Sequence, residues 1–266
     1  MPSGEIGLVG LGIMGKPMAR NMMEAGYSVT VFDLVGSAME EVVTDGAKAA
    51  SSAKEVAEAA PVVITMVPDS PQSEAAILGP NGVLEGASAG SVVIDMSSIA
   101  PGSSQKIAAA CEAAGVAFLD APVSGGEPGA VAGTLAIMVG GKQDVFDTQL
   151  ELLESMGGSI VLCGDYGAGN TTKLANQIIV AANIEAVGEA FTLAAAEDAN
   201  MIREVERELG VKIERRRLEG FDYGDFTPEE QFREERLGLH RAGGQSNGGR
   251  AGRSTRDPRP RTGQNN

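Results

Sequence analysis

The apolar run from Glu5 to Val9 meets Gly10-Leu11-Gly12-Ile13-Met14-Gly15, and Lys16 to Glu24 then reads as a helix ended by Gly26. Nothing else in the 266 residues restricts the fold as much. In such a strand, turn and helix, Gly10 permits the tight turn, Gly12 lets a diphosphate approach the backbone, and Gly15 allows helix and strand to pack closely. The unpaired N–H groups of the helix N-terminus then face the anion. A second β-rich run, Ser28 to Phe32, ends at Asp33, 18 residues beyond Gly15. A carboxylate there accepts the hydroxyls of the adenosine ribose and repels the 2′-phosphate of NADP. The nearest arginine in sequence, Arg20, lies on the preceding helix. Gly10, Leu11, Gly12, Ile13, Met14, Gly15 and Asp33 are therefore expected to bind NAD(H) in preference to NADP. A tight turn that binds nothing and a strand-end cap at Asp33 are the plainer alternatives.

Pro61 to Val67 and Ser91 to Met96 give two more buried strands, separated by Ala-rich helical segments. Val116 to Leu119 and Leu135 to Val139 supply further strands, with helices at Ser104 to Ala114 and Asp144 to Met156. Alternation of this kind predicts a Rossmann-like, doubly wound, mostly parallel α/β sheet over residues 1–164. A glycine-bearing connection from Gly164 to Gly169 leads into one long helix, Asn170 to Ala196, so that residues 165–196 form an interdomain element. Its apolar residues lie on nearly every side: Leu174, Ile178, Ile179, Val180, Ile184, Val187, Phe191 and Leu193. That distribution predicts burial against several partners rather than one amphipathic stripe.

Charge divides the chain near residue 200. Residues 1–200 hold 7 Lys+Arg and 24 Asp+Glu, net -17, whereas residues 201–266 hold 14 and 12, net +2. Arg20 is the only arginine before Arg203, so residues 197–266 are a compositionally separate, divergent segment. Glu204 to Arg217 reads as a solvated helix, and Ala242 to Asn266 as a Gly/Arg-rich tail that cannot build a core and is largely disordered. A net charge of -15 argues against nucleic-acid binding by the whole chain, leaving RNA contact through the tail as the one opening, weakened by its interleaved acids. No apolar run of eighteen residues suggests a membrane span, and acidic Glu5 sits where a signal peptide would be basic, so a cytoplasmic location is expected. Cys111, Cys163 and the single His240 give neither a disulfide scaffold nor a metal cluster.

Two further segments carry chemistry. Asp120-Ala121-Pro122-Val123-Ser124-Gly125-Gly126 follows a buried strand and puts a hydroxyl and two unhindered N–H groups on one loop, a competent carboxylate receptor. Composition alone favours a plain Pro/Gly turn. On the long helix, Lys173 has Asn176 at i+3 and Gln177 at i+4, neighbours on one face. Burial among apolar residues would lower the lysine pKa and suit it to acid/base work, whereas spacing alone fits a snorkelling lysine.

Taken together, Gly10 to Gly15, Ile94-Asp95-Met96-Ser97-Ser98, Asp120 to Gly126 with Glu127-Pro128-Gly129, and Gly167-Ala168-Gly169-Asn170-Thr171-Thr172-Lys173-Leu174-Ala175-Asn176-Gln177 resemble the β-hydroxyacid dehydrogenases in order and spacing. That family includes 3-hydroxyisobutyrate and 6-phosphogluconate dehydrogenases. Gln177 and the Gly-Glu-Pro-Gly continuation favour its subgroup acting on tartronate semialdehyde. The resemblance covers residues 5 to about 196. It implies that Lys173 protonates the carbonyl oxygen as NADH delivers hydride, giving D-glycerate. It also implies that Ser124, Gly125 and Gly126 hold the substrate carboxylate, that Asn176 and Gln177 orient substrate and lysine, and that Met66, Val67, Pro68 and Ser98 line the nicotinamide side. It implies no metal.

The family's long helix enters an all-helical second domain through which its members associate. Residues 197–266 lack the apolar helices such a domain needs, so the expected fold ends in a truncated helical domain, and a homo-oligomer is left open. Glu206 to Phe221 resembles the end of a DEAD-box RNA helicase core. The partners expected are a small hydroxy acid or semialdehyde. The open alternatives are another 3-hydroxyacid dehydrogenase, a dinucleotide-binding remnant without turnover, and an RNA-interaction module in the tail.

Overall fold

A computed structural model of the chain describes residues 4–196 and Arg207. The solvated helix, the helicase-like stretch and the Gly/Arg-rich tail expected after residue 200 lie outside the described residues, apart from Arg207, which is helical and exposed. The chain divides into two units, Met1–Glu185 and Ala186–Asn266.

Strand β1 (Glu5–Val9) buries Ile6, Leu8 and Val9 and feeds helix α1 (Gly15–Ala25), which stops at left-handed Gly26. Strand β2 (Ser28–Phe32) returns parallel to β1, with Leu8 opposite Val31. Helix α2 (Gly36–Thr44), the short strand β3 (Lys48–Ala49) and helix α3 (Ala53–Ala59) follow. The Ser52 hydroxyl starts α3 by accepting the Glu55 N–H. Strand β4 (Val62–Thr65) then pairs with the other side of β1, which creates the switch point of the sheet.

Helices α4 (Ser70–Leu78) and α5 (Val83–Gly86), strand β5 (Val92–Asp95), helix α6 (Pro101–Ala113) and strand β6 (Ala117–Asp120) continue the parallel half. The chain ends its sheet with strand β7 (Val123–Ser124), helix α7 (Gly126–Ala132), strand β8 (Leu135–Gly141), helix α8 (Gln143–Glu154) and strand β9 (Gly157–Gly164). Helix α9 (Ala168–Ala196) follows. The order is β3-β2-β1-β4-β5-β6-β8-β7, with β9 also on β8. Strand β8 runs antiparallel to β6 and β7 and parallel to β9. The sheet is therefore Rossmann-like and mostly parallel.

Consecutive residues of the central strands enter opposite apolar layers. Ile64, Ile94 and Leu119 join one layer with Met18 and Met22, whereas Val63, Val93 and Phe118 join the other with Ile77 and Ile107. This is the period-two consequence of a sheet covered by helices on both faces, and each fully buried side chain contributes roughly 1.5–3 kcal/mol. Long helix α9 differs from the sequence expectation. From Leu174 to Val187 its large apolar side chains are exposed, Ile178 by 71% and Ile184 by 68%, because nothing among the described residues packs over them. No helix of the described residues is long and apolar enough to cross a membrane.

Candidate dinucleotide and substrate site

The three turn glycines do different work. A Cβ on Gly10 would lie 2.2 Å from the Met66 carbonyl oxygen, and its φ of 101° already excludes most side chains. One on Gly15 would sit 2.0 Å from the Gly10 oxygen, so α1 can approach β1 only because that atom is missing. Around Gly12 there is open space. Helix α1 starts at the same turn with no side-chain cap and no acidic residue in its first turn, so its N–H groups and dipole favour an anion. A cleft of about 410 Å³ borders the turn and is lined by Leu11, Gly12, Ile13, Lys16 and Glu127 among others.

Asp33 closes the turn from the end of β2. Its Oδ2 accepts the Leu11 N–H at 2.6 Å and its Oδ1 accepts the Val35 N–H at 2.8 Å. Met66 and Val67 are half-buried after β4, beside Gly10, with Pro68 exposed. The Val67 N–H donates to the Ser97 hydroxyl at 2.9 Å, and Ser98 next to it is exposed.

On the far side, Ser124 ends β7, and Gly125 and Gly126 turn the chain into α7 with φ of 140° and 59°. Both values lie where glycine is favoured, which accounts for the pair. Asn21 of α1 donates from Nδ2 to the Ala130 oxygen of α7 at 2.7 Å and ties this corner to the glycine turn's helix. Lys173 is only 8% exposed, and burial pushes its ammonium below the ordinary lysine pKa. Its Nζ donates to Gln177 Oε1 at 3.0 Å, and Asn176 Nδ2 donates to the same oxygen at 3.3 Å.

Hydrogen bonds and close approaches thus gather the predicted residues into two groups, Gly10–Gly15 with Asp33 and Met66, and Lys173 with Asn176 and Gln177. Among the described hydrogen bonds, none joins Ser124, Gly125 or Gly126 to either group. Asp120 and Asn170 stand in segments that sequence reasoning singled out, but it gave neither of them a role. Asp120 Oδ1 accepts the Gly167 N–H at 2.7 Å and Oδ2 the Asn170 N–H at 2.9 Å. Asn170 accepts the Ile99 N–H at 2.9 Å and donates to the Ser104 hydroxyl at 3.0 Å. Burial raises the Asp120 pKa, opposed by the two helix N–H groups and reinforced by Asp95 on the neighbouring strand.

A parallel sheet whose first turn is glycine-rich, with an uncapped helix at the switch point and a carboxylate on the next strand, defines a dinucleotide-binding Rossmann protein. The family model described as the NAD binding domain of 6-phosphogluconate dehydrogenase matches residues 5–164, and the chain belongs to that family. It is 45% identical over 199 residues to 2-hydroxy-3-oxopropionate reductase of Escherichia coli, covering 75% of this chain and 68% of that protein. It is 42% identical over 188 residues to the mitochondrial 3-hydroxyisobutyrate dehydrogenase of Mus musculus, covering 71% of this chain and 56% of that protein. A solved structure of Mycobacterium tuberculosis 3-hydroxyisobutyrate dehydrogenase with L-serine superposes with a TM-score of 0.71 at 35% identity, covering 77% of this chain and 71% of that one. The relatives are hydroxyacid dehydrogenases. Glu206 to Phe221, the helicase-like stretch, lies beyond the matched family region.

Proposed function

We propose that the chain reduces tartronate semialdehyde to D-glycerate with NADH, and that Lys173 is the general acid. The observation that carries this reading is the buried Lys173 ammonium, lowered in pKa and held by Gln177 one turn further along α9. A lysine whose pKa lies below the ordinary value gives up its proton more readily than a solvated one. The substrate choice draws on the 45% identity to the E. coli 2-hydroxy-3-oxopropionate reductase and on Gln177.

The residues present fit the dinucleotide. Open space over Gly12 and the uncapped α1 N-terminus suit a diphosphate, and Asp33 suits a free ribose 2′-hydroxyl, which favours NAD over NADP. When bound, NADH supplies the hydride. Lys173 gives its Nζ proton to the substrate carbonyl oxygen. The Ser124 hydroxyl and the N–H groups of Gly125 and Gly126 hold the carboxylate, while Asn176 and Gln177 orient substrate and lysine. Met66, Val67, Pro68 and Ser98 shield the reacting face from water. A second reading, oxidation of 3-hydroxyisobutyrate or a similar 3-hydroxy acid, is favoured by the mouse and M. tuberculosis relatives.

The test is NADH consumption by the 266-residue chain on tartronate semialdehyde, with NAD reduction on 3-hydroxyisobutyrate run beside it. Lys173→Ala is expected to lower turnover by roughly 10²–10⁴-fold, the usual scale of acid catalysis, with NADH affinity retained. Equal loss of turnover and NADH binding would contradict the acid role. Asp33→Ala is expected to narrow the preference for NADH over NADPH, and unchanged affinities for both would remove Asp33 from cofactor choice.

A further inference from the structure

We propose that Asp120 is a positioning residue, a buried clamp on the first turn of α9 that fixes where Lys173 Nζ sits. The proposal rests on the reading of Lys173 as the acid and adds a residue to it. The first N–H groups of a helix have no partner within it. At the start of α9 two such groups, from Gly167 just before it and from Asn170 in its first turn, are taken by the two oxygens of one carboxylate that lies 47 and 50 residues earlier in the chain, at the end of β6.

The helix start is braced from a second direction. Asn170 binds the Ile99 N–H and the buried Ser104 hydroxyl, so its side chain ties the same turn to the loop after β5 and to α6. Contact with the sheet leaves no slack. A Cβ on Gly169 would come within 2.3 Å of the Met138 oxygen and 2.6 Å of the Asp120 oxygen, and one on Gly140 within 2.4 Å of Asp120 Oδ1. Backbone of α9 is thus seated directly on β6 and β8. Lys173 follows Asn170 by three residues, nearly one turn, on the same helical face. Any tilt or slide of the clamped turn therefore displaces the Lys173 ammonium by a similar amount.

Charge matters to this role. A fully buried carboxylate costs more to desolvate than a Ser or Asn cap would, and it gives stronger, shorter hydrogen bonds to a helix N-terminus in return. Burial is the cause of the lowered Lys173 pKa, with no contribution from Asp120, so the link between them is geometric.

Two measurements on the full chain test it. In the first, the rate at which an amine reagent labels Lys173 at fixed pH is read by peptide mass spectrometry, with Lys48 and Lys106, both largely exposed, as internal controls. Asp120→Asn is expected to speed Lys173 labelling several-fold and leave the controls unchanged. In the second, Asp120→Asn is expected to lower kcat by roughly ten- to a hundredfold, the scale of a misplaced catalytic group, with the KM for NADH within about twofold. Asp120→Ala, which keeps no acceptor oxygen, is expected to lose more. If all lysines label faster because Asp120→Asn has unfolded, Ser104→Ala decides, since it removes one of the two Asn170 bonds and leaves the Ile99 bond and Asp120 in place; a smaller change at Lys173 alone supports the clamp. Unchanged Lys173 labelling in folded Asp120→Asn, or in Ser104→Ala where that variant decides, overturns it. If Lys173→Ala keeps full turnover, the acid assignment falls, and the labelling rates still decide the clamp separately.

Discussion

At the scale of single residues, Gly12 and Gly15 separate binding from folding. A methyl at Gly15 meets the Gly10 carbonyl, whereas a methyl at Gly12 meets open space where the dinucleotide would lie. Gly15→Ala is expected to cost about 1–3 kcal/mol of unfolding free energy through overpacking. Gly12→Ala is expected to leave the thermal midpoint near that of the parent and weaken NADH binding, read by quenching of NADH fluorescence. If both variants lost stability alike, the space over Gly12 would not be a ligand site. Lys173 carries a prediction in pH. As the acid it must be protonated to work, and burial lowers its pKa, so reductive kcat is expected to fall as pH rises, on a limb lying below the ordinary lysine value of 10.5. A flat kcat profile up to that value would count against Lys173 as the acid.

At the scale of elements, the central strands were legible because Pro61 to Val67 and Ser91 to Met96 contain the apolar runs Val62–Ile64 and Val92–Ile94, as a sheet buried on both faces requires. Helix α7 was not, since Gly-Glu-Pro-Gly has the composition of a turn, whereas in the structure it is helical and bonded to α1 through Asn21 and the Ala130 oxygen. Strand β9 escaped because Gly157, Gly158 and Gly164 dilute its apolar core and its order comes from pairing with β8. Helical spacing put Lys173, Asn176 and Gln177 on one face, where hydrogen bonds join them, but spacing alone fitted a snorkelling lysine and their roles came from the family resemblance. The role of Asp120 was not legible, because its partners are backbone N–H groups 47 and 50 residues away, which leave no side-chain pattern. The ends of β5 and β6 also set two acids side by side, Asp95 opposite Asp120, both with pKa raised chiefly by burial. A raised carboxyl pKa means the folded state holds more protons than the unfolded one above about 3.8, so this pair lowers stability as pH climbs through its folded values. Asp95 Oδ2 faces the Ser73 hydroxyl without closing a good hydrogen bond, so Asp95→Asn is tolerated sterically. Relative to the parent, Asp95→Asn is expected to gain urea resistance as pH rises above about 3.8; a difference that stays constant with pH would mean Asp95 does not titrate with a raised pKa.

At the scale of the whole molecule, residues 1–200 hold 24 acids against 7 bases, and the ion pairs that use those bases, such as Lys48 with Glu5 and Arg20 with Asp45, lie at the surface. Exposed pairs contribute about 0–1 kcal/mol each, so repulsion among the surplus acids is the larger electrostatic effect. Moderate salt, which shortens the screening length to about 8 Å at 0.15 M, is therefore expected to raise the thermal midpoint, and a fall with added NaCl would show the pairs dominate. The seating of α9 on Asp120 bears finally on the order in which the protein folds. The helix start finds its acceptors only after β6 and β8 have come together, across a loop whose closure must precede any reward in contacts. The glycine turn, whose partner Asp33 lies only 22 residues from Leu11, can form sooner. During refolding from denaturant the chain should recover its grip on the dinucleotide first and its ability to turn over last.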